Sequence, residues 1–353
     1  MNTEHFKVKS DNLVDFCANI LRKVGLSTDE ATYVASLLVE SEMRGRVTHG
    51  IMRLPMYVEL IKSNAINPTP KIVTIKDENS VAILDGDHGI GQIVATKAFD
   101  MAIIKASKFG LGIVGVINSG HLGELGLLSR KVLPHRMIGS IMSNGGPIMA
   151  AWGGATPVLG NNPFAVCIPR CEKPPIIIDM ALSKTARGNI IKAEKENEDI
   201  PEGIALDKNG NPTIDPSKAL EGSILPMANH KGYALALLVE ILTSVLSGGT
   251  IGPKIGKMYP VERDQPLKIS HLITVINIEN FIGWEQFQNQ LGELVHAIKQ
   301  SKLNEKNVFI PGERSQLTYQ HNFSREEIVL SYNGYMDLIK LGEEYNVKVN
   351  LSI

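Results

Sequence analysis

The stretch KFGLGIVGVI (108–117) decides which kind of α/β fold this chain can adopt. Its Gly110, Gly112 and Gly115 have the G-x-G-x-x-G spacing of dinucleotide-binding folds, in which the glycines follow a strand and open a helix. Here the order is reversed, because a helix pattern over 92–108 precedes the glycines and a buried strand pattern follows them. No helix N-terminus would face a pyrophosphate, so the sequence predicts a fold other than the Rossmann fold.

A second glycine-rich stretch, GDHGIG (86–91), does lie between a predicted strand over 81–84 and the predicted helix over 92–108. Its spacing differs from that of the dinucleotide motif, and the charged Asp87 would oppose a phosphate. We interpret this stretch as an ordinary tight turn.

Short apolar runs in the middle of the chain predict a sheet. They are separated by glycine and proline turns, and they lie at 113–117, 138–142, 164–168 and 176–178. A further strand is predicted over 272–278. Together with the helix patterns, these strands indicate an α/β or α+β protein.

Helix signals dominate both ends of the chain. A helix is predicted from Ser10 to the residues before Gly25, and Ser27 with Glu30 forms a capping-box pattern for a second helix that ends near 44–45. An amphipathic helix over 284–301 and a charged helix over 325–345 are predicted near the C-terminus, whereas 191–223 and 250–271 have the composition of loops.

The predicted helix over 231–246 is apolar on nearly every face, so we expect it to be buried. Asn229, His230 and Lys231 open it, which gathers a cation and free backbone N–H groups at the positive end of a helix dipole. This end is either an anion site or a solvated lysine at a helix start.

The composition is that of a folded protein without a bulk charge. Of 353 residues, 43% are hydrophobic, and 36 basic against 37 acidic side chains leave a net charge of −1. Such a chain can bury a large core, and it has no field that favours nucleic acid or an anionic membrane. Its length suggests two or three structural units.

The three cysteines, Cys17, Cys167 and Cys171, are too few and too unevenly spaced for a disulfide framework, which favours the cytoplasm. We expect no secretory signal, because no apolar h-region follows the charges of MNTEHFKVKSDN (1–12). We expect no bilayer-spanning segment, because the longest apolar stretch, 233–246, is short and is interrupted by Glu240. Neither the cysteines nor the nine histidines have the spacing of a metal site.

Two glycine-flanked histidines are candidates for chemistry. His49 lies in RGRVTHG (44–50), and His121 lies in NSGHLG (118–123). Glycine neighbours expose a histidine at low steric cost, and its ordinary pKa near 6.5 suits proton transfer. Arg53, one helical turn past His49, could hold a carboxylate with two hydrogen bonds. Each histidine taken alone is more often structural than catalytic.

Seven segments of the chain together resemble the type 2 malate/L-lactate dehydrogenase family, whose members include ureidoglycolate dehydrogenase, sulfolactate dehydrogenase, diketogulonate reductase and piperidine-2-carboxylate reductase. In chain order they are RGRVTHGIMRLPMY (44–57), LDGDHGIGQ (84–92), NSGHLGELG (118–126), WGGATPVLGNNPFAVCIP (152–169), IIIDMALSKTARG (176–188), HKGYALALLVEIL (230–242) and PGER (311–314). One such match would be weak, but seven in order are specific.

The resemblance implies an α/β (α+β) protein with a non-Rossmann cofactor domain, built on a largely antiparallel mixed sheet, and a helical domain formed by the N-terminal segment and the chain end. We place the helical domain at 1–75 with 315–353, and the sheet-containing region, with its cofactor-binding and dimerisation parts, at 76–314. Relatives are dimers with the active site in a cleft, so we expect a homodimer.

The resemblance also assigns site residues. It makes His49 the proton donor to a keto oxygen with Thr48 as its relay neighbour, and it places Arg53, beside Tyr57, on the substrate carboxylate. His121 matches a second histidine to which some relatives assign the acid/base role, so the two histidines compete. The residues that match cofactor contacts of relatives are His121, Ser143, Asp179, Met180, Ala181, Lys231, Gly312, Glu313 and Arg314.

Three departures from the family pattern concern fine positioning. One of them is Asn161, since threonine is commoner in relatives before Asn162 and Pro163. Thr48 stands where relatives usually carry serine, and its β-branch restricts the hydroxyl rotamer. Leu182 replaces a usual threonine, which removes a hydroxyl near the expected nicotinamide.

The leading hypothesis is a cytoplasmic reductase of small 2-keto acids that uses NAD or NADP, and its most specific form is a malate dehydrogenase that reduces oxaloacetate. An alternative keeps the scaffold and changes the substrate to ureidoglycolate, sulfolactate, a keto sugar acid or a cyclic imino acid. Two hypotheses of other classes are a catalytically silent cofactor-binding sensor and an anion-binding module at Lys231. The sequence leaves NAD versus NADP open, since no ribose-binding acid is readable outside the Rossmann spacing.

Overall fold

The computed structural model describes residues 5–258, 261, 263–303 and 307–348. The helices are α1 (Ser10–Lys23), α2 (Thr28–Met43), α3 (Leu54–Lys62), α4 (Gly91–Phe109), α5 (Leu125–Ser129), α6 (Arg187–Glu196), α7 (Pro216–Glu221), α8 (His230–Glu240), α9 (Trp284–Gln300), α10 (Glu313–Arg325) and α11 (Tyr332–Tyr345). The strands are β1 (His5–Lys9), β2 (Val73–Glu78), β3 (Val81–Asp85), β4 (Leu111–Ser119), β5 (Met137–Ser143), β6 (Met149–Ala150), β7 (Pro157–Leu159), β8 (Phe164–Ile168), β9 (Ile176–Met180), β10 (Ala205–Leu206), β11 (Ser223–Ile224), β12 (Ile269–Asn277) and β13 (Glu327–Ser331).

A seven-stranded sheet with the order β2-β3-β4-β12-β5-β8-β9 forms the centre of the molecule. Only the β3–β4 pair within it is parallel, and the other neighbours are antiparallel. The long helix α4 packs on β4 and covers one face, where Phe99 and Ala102 join the buried Val114 and Val116. The prediction of a largely antiparallel mixed sheet on a non-Rossmann scaffold is confirmed.

The glycines of the 110–115 motif permit close packing. Gly110 has a φ of 81° and ends α4, a position at which glycine avoids the strain of a left-handed backbone. A Cβ on Gly112 would lie 2.0 Å from the carbonyl oxygen of Ala102, and one on Gly115 would lie 2.3 Å from the hydroxyl of Ser247. The order of helix, glycines and strand is confirmed.

The 86–91 stretch forms the tight turn that its sequence predicts, with Asp87 and His88 both at positive φ. The turn is fastened to the loop that follows β4: the backbone N–H of His88 donates to the carbonyl of Asn118, and that of Gly120 donates to the carbonyl of Gly89. The turn therefore fixes the backbone immediately before His121.

A second hydrophobic core joins the two ends of the chain. It is formed by side chains of α1, α2, α3 and α11 together with Val8 of β1 and Ile328 and Leu330 of β13.

The predicted helices near the N-terminus and over 284–301 are confirmed, including the Ser27 hydroxyl that accepts from the N–H of Glu30. The division into 1–75 with 315–353 and 76–314 stays a prediction, and its residues 1–4, 304–306 and 349–353, with 259, 260 and 262, lie outside the described residues.

The predicted helix over 325–345 is wrong in its first part, because 327–331 form β13, which pairs antiparallel with β1. Ile328 and Leu330 point into the core while their neighbours alternate outward, a period-two pattern that is too short to stand out beside a helix. Residues 327–331 form a strand because they pair with β1 at the other end of the chain.

The stretch 191–223 is more ordered than its composition indicates. Helices α6 and α7 and strands β10 and β11 enclose a small core of Ile190, Ile200, Ala205, Ala219 and Ile224. The loop prediction was wrong here, since five scattered apolar residues bury one another without a long periodic run. The stretch 250–271 is loop-like up to Lys268, apart from a short 3-10 turn over 252–254. Residues 259, 260 and 262 of this stretch lie outside the described residues.

The prediction that the helix over 231–246 is buried is wrong for the single chain. Its α-helical part ends at Glu240 and a π-helical turn, Ile241–Val245, continues it. Ala236 and Val239 face the core, but Leu235, Leu238 and Ile241 are 42%, 47% and 43% exposed. Among the described helices, none combines the length and the apolarity that crossing a bilayer requires.

Candidate active site

His49 and Arg53 lie on two consecutive 3-10 turns, Val47–His49 and Ile51–Arg53, between α2 and α3. The hydroxyl of Thr48 lies 3.0 Å from Nδ1 of His49, and Nε of Arg53 donates to the carbonyl oxygen of Thr48 at 2.7 Å. Arg53 is only 8% exposed. The structure thus brings Thr48, His49 and Arg53 together, and the guanidinium of Arg53 is hydrogen-bonded to the backbone next to His49.

A buried carboxyl that the sequence analysis did not identify supports these turns. The backbone N–H of Ile51 donates to Oε2 of Glu42 at 3.2 Å. A Cβ on Gly50 would lie 2.0 Å from the same oxygen, so only glycine lets the chain pass this close. Burial raises the pKa of Glu42 to about 7, and the Ile51 N–H opposes that rise. The sequence around Glu42, near the end of α2, does not indicate that this carboxyl is buried.

Because Glu42 is buried, we expect Glu42→Gln to change the pH dependence of stability. Its folded-state pKa is raised from 4.5 to about 7, so its contribution to stability falls as pH rises through that interval. The variant cannot ionise and keeps an oxygen for the Ile51 N–H. The free energy of unfolding of the variant should exceed that of the wild type by up to about 3 kcal/mol at pH 8 and by less than about 1 kcal/mol at pH 5.

Urea unfolding at both pH values measures this difference, and the exposed Glu59→Gln is the matched control. An equal change in stability at pH 5 and pH 8 would show that the Glu42 carboxyl does not titrate as its burial requires.

Two hydrogen-bond donors, the Tyr57 hydroxyl and the Gly123 N–H, contact Nδ1 of His121. Nε2 of Gln92 donates to the hydroxyl of Tyr57 at 2.7 Å, and that hydroxyl lies 3.0 Å from Nδ1 of His121. The N–H of Gly123 also donates to this nitrogen, at 3.2 Å. Since Nδ1 accepts, the neutral ring carries its hydrogen on Nε2. Tyr57 therefore contacts the second histidine of the site.

The two histidine rings face each other, with centroids 6.3 Å apart and planes inclined by 21°. Burial lowers the pKa of His49 to about 4, with the charges of Arg53 and Arg46 as further causes. Burial, followed by the charge of Arg53, lowers the pKa of His121 well below its ordinary value. Two neutral imidazoles and one guanidinium therefore share a single site at neutral pH.

A third histidine, His271 on β12, lies behind this site and was not identified from the sequence. The hydroxyl of Ser143 donates to the carbonyl of Asn144, so it accepts from Nδ1 of His271, 3.0 Å away. His271 is fully buried, and its Nε2 has no hydrogen-bond partner among the described residues. Ser143, a predicted cofactor contact, is thus fixed at the end of β5.

A cavity beside the His121 loop collects several charged groups. Glu124, Asp179 and Gly312 line it. Asp179 accepts the N–H of Gly126 at 2.7 Å. Burial raises the pKa of Asp179, and burial followed by the Asp179 charge raises that of Glu124 to about 7. Two of the predicted cofactor contacts, Asp179 and Gly312, border one space.

The remaining predicted cofactor contacts are not joined to the histidines by any hydrogen bond or ion pair among the described residues. Met180 is 39% exposed, and Lys231 is exposed at the start of α8. Glu313 forms an ion pair with Lys299, and Arg314 lies over the ring of Phe309 at 4.8 Å. Ala181 is partly buried. The roles of these residues stay predictions.

Comparison with known proteins places the chain among the dehydrogenases, a class of oxidoreductase. It belongs to the malate/L-lactate dehydrogenase family, whose model matches residues 8–338. The described residues contain no group of three or more histidine, cysteine or acidic side chains that could hold a metal ion.

Individual relatives match over most of their length. A malate/(S)-sulfolactate dehydrogenase of Methanothermus fervidus is 39% identical over 330 residues, covering 94% of this chain and 95% of the relative. A crystal structure of malate dehydrogenase from Entamoeba histolytica has a TM-score of 0.91 and 30% identity, covering 99% of this chain and 100% of the other. The sulfolactate dehydrogenase structure from Methanocaldococcus jannaschii has a TM-score of 0.88 and 35% identity, over 98% of both chains.

Proposed function

We propose that the protein is an NAD(P)-dependent dehydrogenase that transfers a hydride between the nicotinamide ring and C2 of a 2-keto or 2-hydroxy acid, with oxaloacetate and malate as its substrate pair. The observation that carries this proposal is the shared site of His49, His121 and Arg53. Such a reaction needs a proton donor for the developing alkoxide and a cation for the carboxylate, and these residues supply both.

We assign the acid/base role to His49. Both donors on Nδ1 of His121 hold that ring neutral, so it offers a hydrogen bond from Nε2 to the keto oxygen. The partner of His49 is the Thr48 hydroxyl, which can donate or accept, so His49 can bind a proton at either nitrogen. His121 as the acid is the alternative.

Arg53 couples substrate binding to the protonation of His49. Its charge is one cause of the lowered pKa of His49. A carboxylate that pairs with Arg53 would offset that charge, and the pKa of His49 would rise towards its ordinary range. Burial, the largest cause of the lowered pKa, remains, so a bound carboxylate favours the protonated form of His49 only by the part that Arg53 contributes.

The residues present fit a nicotinamide dinucleotide. Asp179 and Gly312 border a cavity that also holds arginines, and Ser143 is fixed on the sheet behind His121. When bound, the cofactor supplies the hydride to the carbonyl carbon. Asp179, Gly312 and Ser143 would hold parts of the cofactor. Relatives named for NADP(+) and for NAD(+) both occur, so the family accommodates either.

Sulfolactate is the second candidate substrate. Four similar relatives carry sulfolactate in their names, one of them together with malate. Malate and sulfolactate are both 2-hydroxy acids with a second anionic group one carbon away. One site can therefore take either, and the loops around it set the preference.

We also infer that the protein acts as a homodimer in the cytoplasm, with α8 at the interface. The exposed apolar residues Leu235, Leu238, Ile241, Val245 and Leu246 form a continuous run on α8 and the π-helical turn after it. An apolar run of this kind at the surface of one chain is typical of a face that a second copy covers. The three cysteines are free thiols, which suits a reducing compartment.

Leu238→Glu is expected to convert the dimer to a monomer, because it buries a charge in an apolar contact. Sedimentation should give twice the chain mass of 38.5 kDa for the wild type and for Leu294→Glu, a control on the exposed face of α9. A wild-type mass of one chain would rule out this interface.

A panel of substrates with both cofactors tests the proposed function. Purified protein is mixed with NADH or NADPH and with oxaloacetate, sulfopyruvate, pyruvate, a keto sugar acid or a cyclic imine, and the loss of reduced cofactor is followed by absorbance. Oxaloacetate should react fastest. Cofactor binding without turnover on any substrate would favour the silent sensor instead.

A further inference from the structure

Glu240, the last residue of α8, is a carboxyl that the proposed reaction does not use, and it is only 5% exposed. We propose that Glu240 is a positioning residue for His121, which it reaches through a chain of buried polar groups where β5 ends and β12 begins. The inference rests on the proposed function for the role of His121. The hydrogen bonds that connect the two residues carry it.

Three N–H donors surround the Glu240 carboxyl. Oε1 accepts from the backbone N–H of Gly252 at 2.9 Å and from Nδ2 of Asn144 at 3.4 Å, and Oε2 accepts from Nδ2 of Asn162 at 2.9 Å. Glu240 forms no ion pair with any residue that the structure describes. Taking a carboxyl out of water without a cation is costly, and an apolar side chain would avoid that cost. The three donors, which need an acceptor at this point, explain why a carboxyl lies here.

Asn144 joins the end of β5 to the start of β12. Its backbone N–H donates to the carbonyl of Ser270 at 3.1 Å, and its Oδ1 accepts from the N–H of Ser270 at 2.8 Å. Its Nδ2 donates to the hydroxyl of Ser244 at 2.6 Å as well as to Glu240. Glu240 and Ser244 therefore orient the amide that fastens the two strands together.

Asn162 acts on the same point from the other side. It has a φ of 35°, a left-handed conformation that costs free energy unless contacts fix it. Its Nδ2 supplies those contacts, because it donates to the carbonyl of Ala236 at 2.9 Å and to Glu240. The carbonyl of the next residue, Pro163, accepts the N–H of Ser143 at 3.0 Å. Glu240 thus holds Ser143 through both Asn162 and Asn144.

The connection continues from Ser143 to the His121 loop. The hydroxyl of Ser143 donates to the carbonyl of Asn144 at 2.8 Å and lies 3.0 Å from Nδ1 of His271, which is fully buried. Burial lowers the pKa of His271 to about 3, and the carbonyl of Gly120, which faces this ring, opposes the shift. Because Gly120 directly precedes His121, a displaced His271 would move the backbone that carries the His121 imidazole.

Glu240→Gln keeps the shape of the side chain and removes one acceptor. Both oxygens of Glu240 accept from N–H groups, so the amide nitrogen of glutamine would face a donor in either orientation. We expect kcat to fall about 10-fold, since His121 remains but is less well oriented. KM for the 2-keto acid should stay near the wild-type value, because Arg53 is not part of this network.

A double-mutant cycle separates positioning from a general packing defect. If Glu240 acts through His121, adding Glu240→Gln to His121→Ala should not lower kcat further. A packing defect would lower kcat by the same factor in both backgrounds. Steady-state kinetics with oxaloacetate on the four proteins measures the cycle, and sedimentation checks that all four have the same mass.

Two neighbours on the π-helical turn provide a second variant and a matched control. Ser244→Ala removes a partner of Asn144 without changing a charge, so it should lower kcat in the wild type and not in His121→Ala. The same cycle with Ser244→Ala decides the question if Glu240→Gln does not fold. Thr243→Val is the control, because the Thr243 hydroxyl donates to the carbonyl of Val239 at 2.8 Å within the helix, and kcat should not change.

A wild-type kcat in Glu240→Gln, or equal losses with and without His121, would overturn this inference and leave the proposed function standing. A wild-type protein that turns over no 2-keto acid would overturn the proposed function and this inference with it.

Discussion

His49→Ala is expected to lower kcat by about 10²- to 10⁴-fold, the range that a positioned general acid contributes. The dissociation constant of the reduced cofactor should stay near the wild-type value, because His49 contacts Thr48 and faces His121 and does not line the cavity of Asp179 and Gly312. Steady-state kinetics and cofactor titration by fluorescence measure the two quantities.

The controls for this experiment separate the two histidines. His135→Ala removes an exposed imidazole away from the site and should leave both quantities unchanged. His121→Ala should reduce kcat less than His49→Ala, because His121 only donates a hydrogen bond. Normal turnover in His49→Ala, with a large loss in His121→Ala, would transfer the acid role to His121.

Arg53→Lys is expected to raise KM for the 2-keto acid by about 10- to 100-fold, which corresponds to one lost charge-assisted hydrogen bond. Lysine is a point charge and cannot form the planar pair with a carboxylate. It also loses the bond from Nε of Arg53 to the Thr48 carbonyl, so kcat should fall modestly through displacement of His49.

Arg22→Lys, at the exposed end of α1, is the matched control and should behave as the wild type. Cofactor affinity should not change in either variant. If Arg53→Lys lost cofactor binding while KM for the keto acid stayed the same, Arg53 would belong to the cofactor site.

Much of the fold was predictable because it depends on local patterns. The reversed order around Gly110 excluded the Rossmann fold, and the buried runs over 138–142 and 164–168 became central strands. Strand β2 was missed, since all six of its residues are exposed at the edge of the sheet. Strand β13 was missed because its pairing partner lies at the other end of the chain.

In the candidate site, too, contacts between neighbours in sequence were predictable, and contacts between distant residues were not. Thr48, His49 and Arg53 are neighbours in sequence, so one motif predicts their proximity. The contact of Tyr57 with His121 links residues 64 positions apart, and only the resemblance brought both into the site beforehand. Tertiary packing alone reveals the burial of Glu42.

The exposure of α8 illustrates a third limit. Its apolar composition predicts a buried helix, but the chain buries it only on the side of Ala236 and Val239. The composition of a helix predicts that its apolar faces are buried, but it does not show whether the same chain buries them.

The most direct test of the account follows a hydride from the cofactor to the substrate. The protein is incubated with oxaloacetate and with reduced cofactor in which both hydrogens at the nicotinamide C4 are deuterium, and the product is analysed by mass spectrometry. The account predicts malate that carries the deuterium at C2, formed by the wild type and almost absent with His49→Ala. Product without deuterium, or no reduction of any 2-keto acid while the cofactor is bound, would contradict it.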